Sequence, residues 1–107
     1  MRVICKARLK SYAEALGHRD SEGPLRAWYT HVNHRTVAWQ SWGDVKADFG
    51  SASLVGSCVV FNVGGNKYRL VCEVLFGQGI LFIKFLGTHK QYDAIDAETH
   101  NEPPEGD

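Results

Sequence analysis

Apolar residues recur at a helical period in the first half of the chain and alternate in the second half. Leu9, Tyr12, Ala13 and Leu16 hold the i, i+3, i+4, i+7 spacing of one buried stripe, which predicts a helix over about residues 6–16. Lys6 and Lys10 fall on its polar side, and Gly17, just past the last apolar position, supplies a stop. Arg2 to Cys5 reads as a short strand before it. Leu25, Trp28, Tyr29 and Val32 repeat the stripe in a second helix. Ser21 is placed to cap it, and Pro24 sits in its first turn, where a missing N–H costs little. That helix should fade near Asn33-His34. Ser41 followed three residues later by Asp44 is a capping signature for a short helix with Val45 and Phe49 on one face. Residues 50–56, rich in Gly, Ser and Ala, read as a loop.

From Cys58 onward the period falls to two. Residues 59–63, 67–76 and 80–86 form three β-rich runs separated by Gly64-Gly65-Asn66 and Gly77-Gln78-Gly79, the pattern of an antiparallel meander. Tyr68, Leu70, Cys72, Val74 and Phe76 share one face of the middle run, and Lys67, Arg69, Val71 and Glu73 the other. Val59 and Phe61 should join the core, leaving Asn62 outward. A two-residue Gly64-Gly65 turn sets Asn62 opposite Lys67. In the last run Leu81, Ile83 and Phe85 go inward, and Ile80, Phe82 and Lys84 outward; with a turn at Gly77-Gln78, Lys84 is expected on the same face as Arg69 and opposite it. Two cations directly across a sheet repel, and an anionic ligand would remove that cost. The alternative is a solvated face whose cations keep the sheet soluble. Val71 and Phe82 argue against it, since they offer apolar area on which a base could stack.

With 107 residues, 44% hydrophobic and 22% charged, the chain is long and apolar enough for one self-sufficient core. No run approaches a membrane span, and the first residues lack the form of a secretory signal, so a cytoplasmic protein without membrane contact is expected. Cys5, Cys58 and Cys72 have no paired spacing and fit small buried side chains in a reducing compartment. Twelve basic and twelve acidic residues cancel overall, but unevenly. Residues 93–107 hold six of the acidic groups and no Lys or Arg, which leaves residues 1–92 at a formal +6. A basic body with an acidic tail suits a nucleic-acid-binding domain, and a solubilising flexible end explains the tail equally well.

The last run leads into Gly87-Thr88-His89-Lys90-Gln91-Tyr92-Asp93. His89 and Tyr92, three apart and directly after a strand carrying Lys84, form a candidate acid–base group, because an imidazole can move a proton either way near neutral pH. His18, His31, His34 and His100 lack such company. No Cys-x-x-Cys or His-Glu-x-x-His pattern accompanies His31/His34 or His89/Asp93, so no metal is expected. Gly64-Gly65 joins two strands and is not a phosphate loop. A Gly-x-Ser-x-Gly elbow is missing, and neither Cys58 nor Cys72 has an activating neighbour in sequence.

The runs Val60-Phe61-Asn62-Val63-Gly64-Gly65-Asn66-Lys67-Tyr68-Arg69-Leu70 and Phe85-Leu86-Gly87-Thr88-His89-Lys90-Gln91-Tyr92-Asp93 resemble the HigB toxins of bacterial type II toxin–antitoxin systems, in the RelE/ParE-like superfamily. Arg2-Val3-Ile4, Leu25, Trp28-Tyr29, Trp39, Asp48-Phe49 and Ala52 agree, and the likeness covers about residues 1–96, which implies one folded domain over 1–96 with residues 97–107 as a flexible acidic tail outside it. It implies an α+β fold, a short N-terminal strand and two main helices packed on an antiparallel sheet. It also implies a metal-independent, cofactor-free endoribonuclease that cuts mRNA on the ribosome, with a HigA-like helix-turn-helix antitoxin through which operator DNA is bound. In that mechanism Arg69 and Lys84 stabilise the phosphate and the transition state, His89 is the acid or base, and Tyr92 stacks or assists proton transfer. Asn62 and Lys67 position RNA, with Phe82 and Lys90 as further contacts. The competing readings are a ParE-like toxin that inhibits gyrase without cutting RNA, and a plain RNA-binding module.

Overall fold

Packing one face of a sheet against amphipathic helices determines most of the architecture. The structure, a computed structural model, describes residues 1–14, 19–65 and 67–93. In chain order it contains β1 (Arg2–Ile4), α1 (Ala7–Glu14), a 3₁₀ turn (Arg19–Ser21), α2 (Glu22–Asn33), α3 (Trp42–Asp48), β2 (Ser53–Val55), β3 (Cys58–Val63), β4 (Tyr68–Leu75), β5 (Ile80–Thr88) and α4 (His89–Asp93). The expected helix end at Leu16 and Gly17, residue Asn66 of the hairpin turn, and the acidic segment beyond Asp93 lie outside the described residues.

The five strands form one sheet in the order β1-β5-β4-β3-β2. The β3-β4-β5 meander is antiparallel, as the Gly-rich turns predict. Strand β1 instead pairs parallel with β5, Val3 opposite Leu81. Cys5, with φ of 70°, then turns the chain off the sheet into α1. Beyond the end of β1, Arg8 of α1 donates to the Ile83 and Lys84 carbonyls at 3.5 and 3.4 Å, occupying acceptors on the edge of β5 that β1 does not reach.

Leu9 and Ala13 of α1, Leu25, Trp28 and Val32 of α2, and Val45 of α3 meet Val59, Phe61, Leu70, Cys72, Leu81 and Ile83 in the main core. Phe61 is its aromatic hub, with ring centroids of Trp28, Trp39 and Phe49 at 5.4, 6.1 and 5.1 Å. Trp39 donates its indole N–H to Asp48 at 2.9 Å, which ties the α2–α3 connection to the end of α3. Of the predicted stripes, Leu9, Ala13, Leu25, Trp28 and Val32 are buried and Tyr12 and Tyr29 partly so, and α2 ends at Asn33 as expected. Ser41 caps α3 by position only; its side chain makes no cap hydrogen bond, and Asp44 accepts from the Gln40 N–H at 2.8 Å.

Three sequence expectations need correction. Residues 50–56 are not all loop, since Ser53–Val55 is the edge strand β2, paired with β3. Cys5 is exposed, whereas Cys58 and Cys72 are buried. Phe85 does not enter the main core. A register shift between Val71 and Cys72 leaves Lys84 as the extra residue of a β-bulge, so Phe85 pairs with Val71 and Ile83 with Cys72. One inserted residue flips the alternation of everything after it. Phe85 accordingly joins Cys58, Val60 and Val71 in a second apolar cluster on the opposite face, with Val55 and Tyr92 packed against it.

Candidate nucleic-acid interface

The face away from α1–α3 is organised in three cross-strand rows. Asn62, Arg69 and Gly87 form the row nearest α4, Val60, Val71 and Phe85 the middle one, and Cys58, Glu73 and Phe82 the far one. The middle row is buried, Val71 at 0% and Phe85 at 2% exposure, so Val71 offers no stacking surface to a ligand. Phe82, half-buried, remains at the rim.

The turn geometry shifts the expected pairs. Val63 pairs with Tyr68, so the connection spans residues 64–67 and Asn62 stands opposite Arg69 rather than Lys67. Gly64 and Gly65 both take positive φ there, 66° and 68°, a conformation that glycine adopts without strain. The β4–β5 connection likewise spans four residues, with Leu75 opposite Ile80. Lys84 therefore does not face Arg69. It lies 3.5 Å from the Glu73 carboxylate and 5.5 Å from the centre of the Phe82 ring. Arg69 and Glu73 are four residues apart on β4, about 13 Å of extended chain. The expected like-charge pair is thus replaced by two centres at opposite ends of one face.

Lys67 leaves that face altogether. Its ammonium binds the Asp20 carboxylate of the 3₁₀ turn, and the Tyr68 hydroxyl donates to the other oxygen of the same carboxylate. Hydrogen bonds from Lys67 and then Tyr68 hold the Asp20 carboxyl below its ordinary value of 3.8. Burial and the Asp20 charge together push Tyr68 up to about 12. Burial likewise raises the Cys58 thiol to about 11, Glu73 adding to the shift and Lys84 opposing it, so this thiol is a poor nucleophile at neutral pH.

α4 begins where β5 ends. Thr88 and Gln91 cap it reciprocally: Gln91 N–H donates to Thr88 Oγ1 at 3.2 Å, and Thr88 N–H to Gln91 Oε1 at 2.8 Å. The Thr-x-x-Gln signal was present in the sequence and unused. His89 N–H donates to the Lys67 carbonyl at 3.1 Å, joining α4 to the β3–β4 turn. His89 and Tyr92 lie three apart on this helix and share a side of it. Tyr92 packs on the second apolar cluster, His89 Nε2 is 3.5 Å from Asp93 Oδ2, and Lys90 is exposed. Arg69 is half-buried in the row beside them, its guanidinium donating to the Tyr68 carbonyl at 3.4 Å.

Asn62, Arg69, His89 and Tyr92 are therefore gathered at one end of the face, with Lys90 on the same short helix. Lys84 and Phe82 sit together at the other end, and Lys67 is turned to the helix side. Sequence reasoning gave no role to Asp20, Glu73 or Gln91. Asp20 carries no local signal, being 47 residues from its partner Lys67. Among the described residues no group of three or more His, Cys, Asp or Glu side chains is placed to hold a metal ion, and no helix is long and apolar enough to cross a membrane.

A helix layer on one side of a small, mostly antiparallel sheet, with a cationic and aromatic rim on the other, defines a RelE-like α+β protein. Residues 21–95 match the family described as HigB toxin, the RelE-like toxic component of a toxin–antitoxin system, and the chain belongs to that family. It is 47% identical over 38 residues to the "mRNA interferase toxin HigB" of Escherichia coli (strain K12), a stretch covering 36% of each chain. The "mRNA interferase HigB" proteins of Escherichia coli O157:H7 and Shigella flexneri match to the same extent. These alignments span about a third of the curated relatives.

Proposed function

We propose that this toxin is an mRNA interferase, an endoribonuclease that cuts mRNA on the translating ribosome in the cytoplasm, and that the Arg69–His89–Tyr92 end of the sheet is its active site. The names of its relatives support the substrate class. The observation carrying the assignment to this face is the joining of α4 to the meander, which brings a guanidinium, an imidazole and a phenol to one rim of the sheet.

The reaction needs no group beyond these side chains. A base removes the ribose 2′-OH proton, the 2′-oxygen attacks the adjacent phosphorus in line, and the P–O5′ bond breaks. An acid protonates the departing 5′-oxygen, leaving a 2′,3′-cyclic phosphate and a 5′-hydroxyl. Arg69 neutralises the phosphoryl oxygens as charge builds, His89 carries the proton at one of the two oxygens, and Tyr92 stacks on a base or completes the transfer. Asn62 orients the same phosphate from across the strand. Lys84, Phe82 and Lys90 contact neighbouring nucleotides, Lys84 in exchange for its ion pair with Glu73. Lys67, committed to Asp20, is left out of the direct contacts. The toxin's partner is a HigA-like helix-turn-helix antitoxin, through which operator DNA is engaged.

Single-turnover cleavage of ribosome-bound mRNA by the wild type and by Arg69→Ala tests this reading. Loss of a transition-state donor should slow cleavage by about two to three orders of magnitude while the fold is retained. Full cleavage by a folded Arg69→Ala protein would remove this face from the chemistry, whereas no cleavage by the wild type would move the reading toward a non-catalytic, gyrase-type toxin.

A further inference from the structure

The contacts of Asp20 have a consequence for the site that no separate role in the chemistry requires. We propose that Asp20 is a positioning residue for His89, acting through the turn at Lys67; this rests on the reading of His89 as a site residue. Lys67 lies just beyond the last β3–β4 pair, Val63–Tyr68, in a turn where its N–H donates to the Gly64 carbonyl at 3.3 Å. Its side chain is held by Asp20, and the same carboxylate takes the hydroxyl of the next residue, Tyr68. Tyr68 is itself buried, 1% exposed and set edge-on to Tyr12 with ring centroids 5.7 Å apart. Asp20 thus references the Lys67 turn to a ring anchored in the main core.

The carbonyl of Lys67 receives the His89 N–H at 3.1 Å, the first amide of α4. A helix of five residues cannot hold itself in place, because nucleation leaves such short helices unstable without outside contacts. Among the described residues, the Thr88–Gln91 cap, the packing of Tyr92 and this amide contact hold its position. Removing the Asp20 carboxylate releases the Lys67 side chain, loosens the turn that carries the Lys67 carbonyl, and with it the start of α4, where His89 sits. Asp20 itself is far along the chain and half-exposed on the helix side, and its partners Lys67 and Tyr68 are not among the residues proposed to meet RNA.

The test compares the full wild-type chain with Asp20→Ala and Asp20→Glu by amide hydrogen exchange and by cleavage kinetics on ribosome-bound mRNA. Asp20→Ala should exchange its His89 amide about tenfold faster or more, while the core amides of Leu70 and Leu86 keep their protection. Its kcat should fall by up to about a hundredfold, as for a misplaced reacting group, with KM changed little; Asp20→Glu should restore part of both. Unchanged His89 exchange would overturn the proposal, as would a uniform loss of protection across Leu70 and Leu86, which would make Asp20 a general stability residue. Faster His89 exchange with wild-type kcat would overturn it as well. If the wild type cuts no RNA, the nuclease reading fails separately, and the exchange data alone decide whether Asp20 sets the position of His89.

Discussion

Gly87 leaves no room for a side chain. A Cβ there would stand 2.6 Å from the Phe85 ring and 2.8 Å from Gln91 Oε1, the oxygen that caps α4. Gly87→Ala must therefore displace either the centre of the second apolar cluster or the cap that begins the helix of His89 and Tyr92. Overpacking of this kind costs about 1–3 kcal/mol, and urea denaturation should find a loss in that range. Cleavage should fall beyond what the lost stability explains when measured well below the denaturation midpoint; unchanged cleavage would mean that the start of α4 does not set the site. The alternation along β4 identified Arg69 and Glu73 as outward and Tyr68, Leu70 and Cys72 as core residues directly from the sequence. It failed at Phe85 for a physical reason. A bulge at Lys84 has no local marker, since neither Gly nor Pro stands there, and it forms because opposing strands of unequal span must both keep their apolar faces buried.

Helix α4 and the turn at Lys67 show what is legible at the level of elements. Helices with a full apolar stripe, and strands between Gly-rich turns, were readable because burial enforces their period. The short β2 was not, because three residues with a Gly-rich approach carry no period and owe their conformation to pairing with β3. The β3–β4 hairpin length was misjudged for a similar reason: Gly64-Gly65 suits a two-residue turn, yet the connection spans four residues, and this moves Asn62 opposite Arg69, while the position of Lys84 is set by the Leu75–Ile80 register and the bulge. The Asp20 contact at this turn should leave a pH signature. A carboxylate held below its ordinary 3.8 contributes stability above that value and loses it as the pH falls through the lowered one. Asp20→Asn should therefore flatten the acid limb of the stability–pH curve below about pH 4, an effect kept small by solvent exposure and reduced further by salt. Superimposable acid limbs would show that the pair does not contribute.

Across the whole molecule, zero net charge conceals a body at a formal +6, and charge and shape are divided between two faces. The helix side carries the main core, while the other side buries a smaller cluster and gathers Arg69, Lys84 and Lys90 around its rim. If these three cations meet phosphates, the logarithm of RNA affinity should fall with the logarithm of salt at a slope of about −2, and Lys90→Ala should reduce that slope by about 0.7. A salt-independent affinity would place RNA elsewhere. The family likeness in the sequence and the face derived from alternation agree on the α4 end of the sheet. They part over Lys84, which register, and not composition, removes from the side of Arg69. The most direct measurement is primer extension on mRNA from cells induced for the wild type beside an Arg69→Ala/His89→Ala double variant. Discrete, codon-phased cuts in the wild type alone are the predicted result. Growth arrest without cuts would contradict the account, leaving a RelE-like toxin whose target is not mRNA.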